Sequence, residues 1–191
     1  MWPFYKVLPD LPAPPQKFID AVDIDPENLP TETPLHAVNW RHSVENGEEF
    51  LASVAVRTLV SEEWEQWVRE NIVPKFNDAG ICWRHCYHPH GGIHTDTTRD
   101  MSITWNIQQG GPTAGVVWYQ EDGQPVMRTH NIQHLNYDTV KPIYELTPTP
   151  DNTWYIHDTR ILHAAENLES PRVQFQISIN VEDVPKEWLV D

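Results

Sequence analysis

The chain has 191 residues, 39% of them hydrophobic and 21% charged, and carries a formal net charge of −15. That length suits one domain with a real core rather than two. So negative a field repels nucleic-acid backbones and anionic membrane surfaces, which argues against a general affinity for either.

No stretch approaches the ~18 consecutive apolar residues of a membrane helix. The start, "MWPFYKVLPD", lacks a basic region followed by an apolar run, so no signal peptide is expected. The two cysteines, Cys82 and Cys86, lie four residues apart. On a strand that is roughly 13 Å, too far for a disulfide, so reduced thiols and a cytoplasmic location are expected. Nine tryptophans should place several large rings in the core or around a pocket.

Residues 1–46 hold eight of the 17 prolines. "LPDLPAPPQ" favours extended backbone, so this segment reads as an arm packed on a core domain of residues 47–191, with "FYKV" as a short edge strand. "EEFLASVAVRTLV" fits either a short helix or a buried strand. In "SEEWEQWVRENIVPKFNDAG", Ser61 can cap a helix whose first turn carries Glu62 and Glu63. Trp64, Trp67, Val68 and Ile72 then form one apolar face, and Pro74 with Gly80 ends the helix. From Gly80 onward the candidate strands are "ICWRHCYH", "GIHTD", "SITWNI", "GVVWYQ", "PVMRTHNI", "NTWYIHD" and "RVQFQISINV", with loops at 108–114, 120–125 and 131–152. Short strands separated by turns predict a mostly β antiparallel sandwich or barrel with a supporting helix.

The polar residues decide the chemistry. "CWRHCYHPH" has zinc-like spacing, but Cys82, Cys86, His88 and His90 lie along one strand face in a line, whereas a tetrahedral site needs convergence. Pocket-lining or surface roles are the favoured reading there. His94 and Asp96 differ: at i and i+2 on a strand they point the same way, about 6–7 Å apart at Cα, within reach of one cation. One imidazole and one carboxylate make two-thirds of a facial triad for non-haem iron. His163 can supply the third donor; His157, beside Asp158, competes for that role. Arg172 opens the strand "RVQFQISINV" nine residues after His163, and a buried guanidinium calls for an anionic partner, either a bound carboxylate or a structural Glu or Asp.

With His94-Thr95-Asp96, His163 and Arg172 in this order, and "LHAAENLESPRVQFQISI" as a closing segment, residues 80–182 resemble the iron(II)- and 2-oxoglutarate-dependent oxygenases. The resemblance implies a double-stranded β-helix (jelly-roll) core, iron(II) held by His94, Asp96 and His163, and the distal carboxylate of 2-oxoglutarate held by Arg172. It implies hydroxylation of an unactivated C–H in an amino-acid side chain or small molecule, with release of succinate and CO2. The flavour is that of prolyl and aspartyl/asparaginyl hydroxylase-like members, including small phage-encoded ones. Ser178 departs from the nucleic-acid demethylase branch, which carries a second arginine there, and an acid at Asp96 disfavours the halogenase branch. Trp105, Asn106, Trp118 and Tyr119 are candidate lining residues for the cosubstrate, with a core role the stronger reading for each aromatic. Arg99 would pair with Asp100 or meet substrate; Arg84 and Arg128 are further cations. Two alternatives remain: a cupin-like metal enzyme without 2-oxoglutarate, in which Arg172 has no evident duty, and a catalytically silent jelly-roll binding protein, which needs no triad.

Overall fold

The computed structural model describes residues 4–22, 41–45, 48–52, 55–78, 80–86, 93–96, 98–121, 124–125 and 140–189. Strands β1 (Tyr5–Leu8), β4 (Ala55–Leu59), β5 (Ile81–Cys86), β6 (Met101–Gln108), β10 (Trp154–Asp158) and β12 (Arg172–Ile179) form a six-stranded sheet in the order β1-β10-β6-β12-β5-β4. A smaller sheet centres on β7 (Gly115–Glu121), which pairs with β8 (Gln124–Pro125), β9 (Val140–Leu146) and β11 (His163–Glu166). Strands β2 (Arg41–Glu45) and β3 (Glu48–Ala52) make a separate pair. All these pairings are antiparallel, so the chain is mostly β, as the short turn-separated runs predict.

Strand alternation sorts the large sheet into two unlike faces. Along β12, Val173, Phe175, Ile177 and Ile179 alternate with Arg172, Gln174, Gln176 and Ser178, and all are buried. Along β6, Ile103 and Trp105 alternate with Ser102, Thr104 and Asn106. The register sets Phe175 beside Trp105 and Gln176 beside Thr104, so like stacks on like. The apolar row continues through Trp154 and Ile156 of β10 and Ile81 and Trp83 of β5.

Helix α2 (Glu62–Asn71) covers that row. Ser61 caps it by accepting from the Trp64 backbone N–H at 3.3 Å, with Glu62, Glu63 and Glu65 in the first turn. Trp64, Val68 and Ile72 are buried, and Trp67 is half-buried, as the 3.6-residue spacing requires. Trp64 stacks on Phe175 at 4.2 Å and on Phe18 at 5.0 Å. Phe18 belongs to α1 (Gln16–Asp20), a short helix inside the proline-rich arm where extended backbone was expected. Leu8, Phe18 and Val22 of the arm are buried in the same core, and Trp154 Nε1 donates to the Pro12 carbonyl at 2.8 Å.

The smaller sheet packs on the other, polar face. Tyr155 shares the face of Thr104, and it clusters with Val116, Trp118 and Leu146. Trp118 Nε1 also donates to the Asp158 carbonyl at 3.1 Å. The row of Ser102, Thr104, Asn106, Gln174, Gln176 and Ser178 therefore lies enclosed between two sheets rather than open to water.

Several expectations need correction. "EEFLASVAVRTLV", which fits a helix or a strand alike, forms strands β3 and β4. "GIHTD" is no strand: it contributes a single bridge between His94 and His163. Residues 131–152 are not all loop, because β9 pairs with β7 there; its lysine, proline and glutamate disguise it, and Pro142 falls where the ladder shifts register, so a missing N–H is tolerated. "PVMRTHNI" contributes only Pro125 to β8, and the rest lies outside the described residues.

Candidate metal centre

The triad is assembled by one backbone contact. His94 N–H donates to the His163 carbonyl at 3.0 Å and His163 N–H returns the bond at 2.9 Å. This reciprocal pair fixes the two residues opposite each other, and their rings lie 4.6 Å apart. Two residues on, the Asp96 N–H is tied to the Thr159 carbonyl at 2.9 Å, which brings its carboxylate back to the same place. His94 Nε2 and Asp96 Oδ1 are 3.5 Å apart, and the donor atoms of His94, Asp96 and His163 all lie within 4.8 Å of one another. Segments 69 positions apart in the chain thus converge at one point.

Their electrostatics suit a cation. His163 Nδ1 is 2.9 Å from the Ile161 carbonyl. A carbonyl can only accept, so Nδ1 carries the hydrogen and Nε2 presents its lone pair. Burial, with the neighbouring His94, pushes the His163 pKa down to about 3, so the ring is neutral at ordinary pH. Burial alone would raise the Asp96 carboxyl, but Arg99, His94 and His163 together hold it well below the usual carboxylate range. A metal needs deprotonated donors, and a neutral His163 imidazole with an ionised Asp96 carboxylate meets that need at two of the three positions. The nitrogen-nitrogen-oxygen set fits a divalent first-row metal, iron(II) included.

The other candidates divide. Arg172 is buried at the start of β12, on the polar face, with Nε donating to the Gln109 carbonyl and Nη2 to the Gly115 carbonyl, both at 3.0 Å. Asn106 lies on the same face, but its amide is engaged by Thr149, Pro150 and Gln174. Trp105 points the opposite way, into the core with Trp154 and Phe175, so it does not share the enclosed face. Tyr119 clusters with Ile93, Val117 and Leu162, and its hydroxyl donates to Glu166 at 2.8 Å; Trp118, its neighbour, is the ring that meets His157. Alternation along a strand permits only one of two adjacent residues to face the site, and here it selects Asn106 over Trp105 and Trp118 over Tyr119.

His157 is buried, 6.1 Å from the His163 ring, with its Nδ1 lacking a hydrogen-bond partner among the described residues. It stands beside the triad without joining its donor group, and Asp158 is taken up by Arg160. Arg99 pairs with Asp96, three positions before it. Cys82 is a buried free thiol; the side chains of Arg84, Cys86, His88, His90 and Arg128 lie outside the described residues.

Sequence reasoning missed Gln174, Gln176 and Tyr155, which line the enclosed face and are hydrogen-bonded together. The signal was present: "RVQFQISI" alternates perfectly. No helix among the described residues is long and apolar enough to cross a membrane. No protein-family model matches the chain, and a search of curated proteins finds no match.

Proposed function

We propose that the protein is an iron(II)- and 2-oxoglutarate-dependent oxygenase, a hydroxylase, whose two sheets are the halves of a jelly roll. The observation that carries this reading is the convergence of His94, Asp96 and His163 within 4.8 Å, with His163 held neutral and Asp96 held ionised by their surroundings. A purely structural role gives no reason to gather two imidazoles and a carboxylate in a buried place, where each costs desolvation.

In this reading His94 Nε2, Asp96 Oδ1 and His163 Nε2 hold the iron. Bound iron would supply the activation of oxygen that couples decarboxylation of 2-oxoglutarate, to succinate and CO2, with hydroxylation of a C–H bond. The protein's own share is positional. Arg172 takes the distal carboxylate of the cosubstrate; the Gln109 and Gly115 carbonyls fix its guanidinium plane, so a carboxylate meets it in a set orientation. Ser102, Thr104, Gln174 and Gln176 give the face between the sheets a polar lining, and all four are buried. His163 keeps its Nδ1 proton on the Ile161 carbonyl throughout. The substrate is a small molecule or an amino-acid side chain.

The test is anaerobic. Iron(II) and 2-oxoglutarate are added to the purified protein, and the weak visible charge-transfer band of the chelate is sought. Arg172→Ala should weaken 2-oxoglutarate binding while leaving iron binding in place; His94→Ala should abolish both. Iron binding without a band in the native protein would move it to the cupin-like class instead.

A further inference from the structure

Asp96 is gripped from behind. While Oδ1 faces His94, Oδ2 accepts from Arg99 Nε at 2.6 Å, a short charge-assisted bond. Arg99 is buried in turn, and its Nη1 donates to Gln176 Oε1 at 2.9 Å. From there the chain of bonds continues along the enclosed face. Gln176 Nε2 donates to Gln174 Oε1 at 3.2 Å, and Gln174 Nε2 donates to Asn106 Oδ1 at 2.9 Å and to the Tyr155 hydroxyl at 3.0 Å.

Nothing in the spacing of His94, Asp96 and His163 requires this arrangement. A carboxylate on a short side chain can rotate, offering an ion one oxygen, both, or neither. With Oδ2 committed to a guanidinium, only Oδ1 is left on the side of the two histidines. A guanidinium anchored at a second point by Gln176 cannot follow the carboxylate if it swings.

We propose that Arg99 is a positioning residue of the metal centre: it clamps one oxygen of Asp96 so that the carboxylate serves as a single-oxygen ligand, and Gln176 on β12 braces the clamp. The proposal rests on the metal site of the preceding section and on no other part of that reading. Two effects of Arg99 on affinity oppose each other. Its positive charge repels a cation, whereas its grip orients the ligand. Partners that orient a ligand in this way are typically worth about 10–100-fold in metal affinity, so orientation should win.

Cobalt(II) is the probe, titrated into the metal-free full-length protein and followed by its ligand-field absorption. Arg99→Ala should weaken binding by about 10–100-fold and shift the position and intensity of the cobalt bands, because the freed carboxylate changes the ligand count. Arg99→Lys keeps a charged donor and should restore the native spectrum with part of the affinity. Gln176→Leu should weaken binding less than Arg99→Ala, and add nothing when the two changes are combined, since it acts through Arg99. A merely structural arginine could lower thermal stability but would leave the cobalt spectrum alone. Unchanged or tighter cobalt binding in Arg99→Ala, with an unaltered spectrum, overturns the clamp while the metal site stands. Failure of the native protein to bind cobalt at all overturns both. Should Arg99→Ala not fold, the lysine and leucine variants decide the question by the same spectra.

Discussion

Mild acid should destabilise the metal-free protein through the histidines of its centre. His163 is buried, and burial together with His94 takes its pKa from 6.5 down to about 3. His157 is likewise held well below its ordinary value, by burial first and then by His163 and Arg99. In the unfolded chain each ring takes up a proton near pH 6.5; in the folded chain it does not. The unfolded state therefore binds more protons below that pH, and stability falls as the pH drops. It is complete above pH 6.5 and is lost at about 1.4 kcal/mol per pH unit for each such histidine, levelling off for His163 near pH 3. Between pH 6.5 and 4.5 His163 alone accounts for about 2–3 kcal/mol, a large share of a total that is typically about 5–15 kcal/mol. Asp96, held low, adds its own loss only at more acid pH. The assay is urea denaturation in the presence of a chelator, followed by tryptophan fluorescence in steps from pH 7.5 to 4.5. His163→Asn keeps an N–H for the Ile161 carbonyl but cannot take up a proton, so its stability should fall less steeply by about one proton's worth. Parallel slopes in the native protein and the variant would refute the reasoning.

Two further outcomes concern the scaffold. Trp64→Ala removes the ring stacked between Phe18 and Phe175 and should cost about 3–5 kcal/mol in the same denaturation assay, whereas half-buried Trp67→Ala should cost clearly less. Gly110→Ala meets two obstacles: φ is +92°, and a Cβ would lie 2.9 Å from Leu168 Cδ2 and 3.0 Å from Arg172 Cβ. The substitution should cost about 1–3 kcal/mol, and it should weaken 2-oxoglutarate binding in calorimetry, because the adjacent Gln109 carbonyl holds Arg172.

Much of the centre was legible because its cues are local. The spacing of His94 and Asp96 can be read along the chain; so can the cap and apolar stripe of α2. What escaped depends on register, which is a relation between distant strands. Alternation in "MSITWNIQ" says that Trp105 and Asn106 face opposite ways, but not which of them faces the centre. That is settled only when Phe175 pairs with Trp105 and the apolar row meets α2. The same limit hid the glutamines: an alternating strand normally sets its polar row in water, and here a second sheet encloses it. Strand β9 escaped for a different reason. At an edge, exposed polar residues and a proline are no obstacle to pairing, so its composition resembles a loop.

The most direct measurement is anomalous diffraction from crystals grown with manganese(II), which binds oxygen- and nitrogen-rich sites without oxidising readily. One strong peak is expected within bonding distance of His94 Nε2, Asp96 Oδ1 and His163 Nε2, and it should vanish in Asp96→Ala. An empty map at those atoms, or a peak at the cysteine- and histidine-rich segment around residues 82–90 instead, would contradict the central claim.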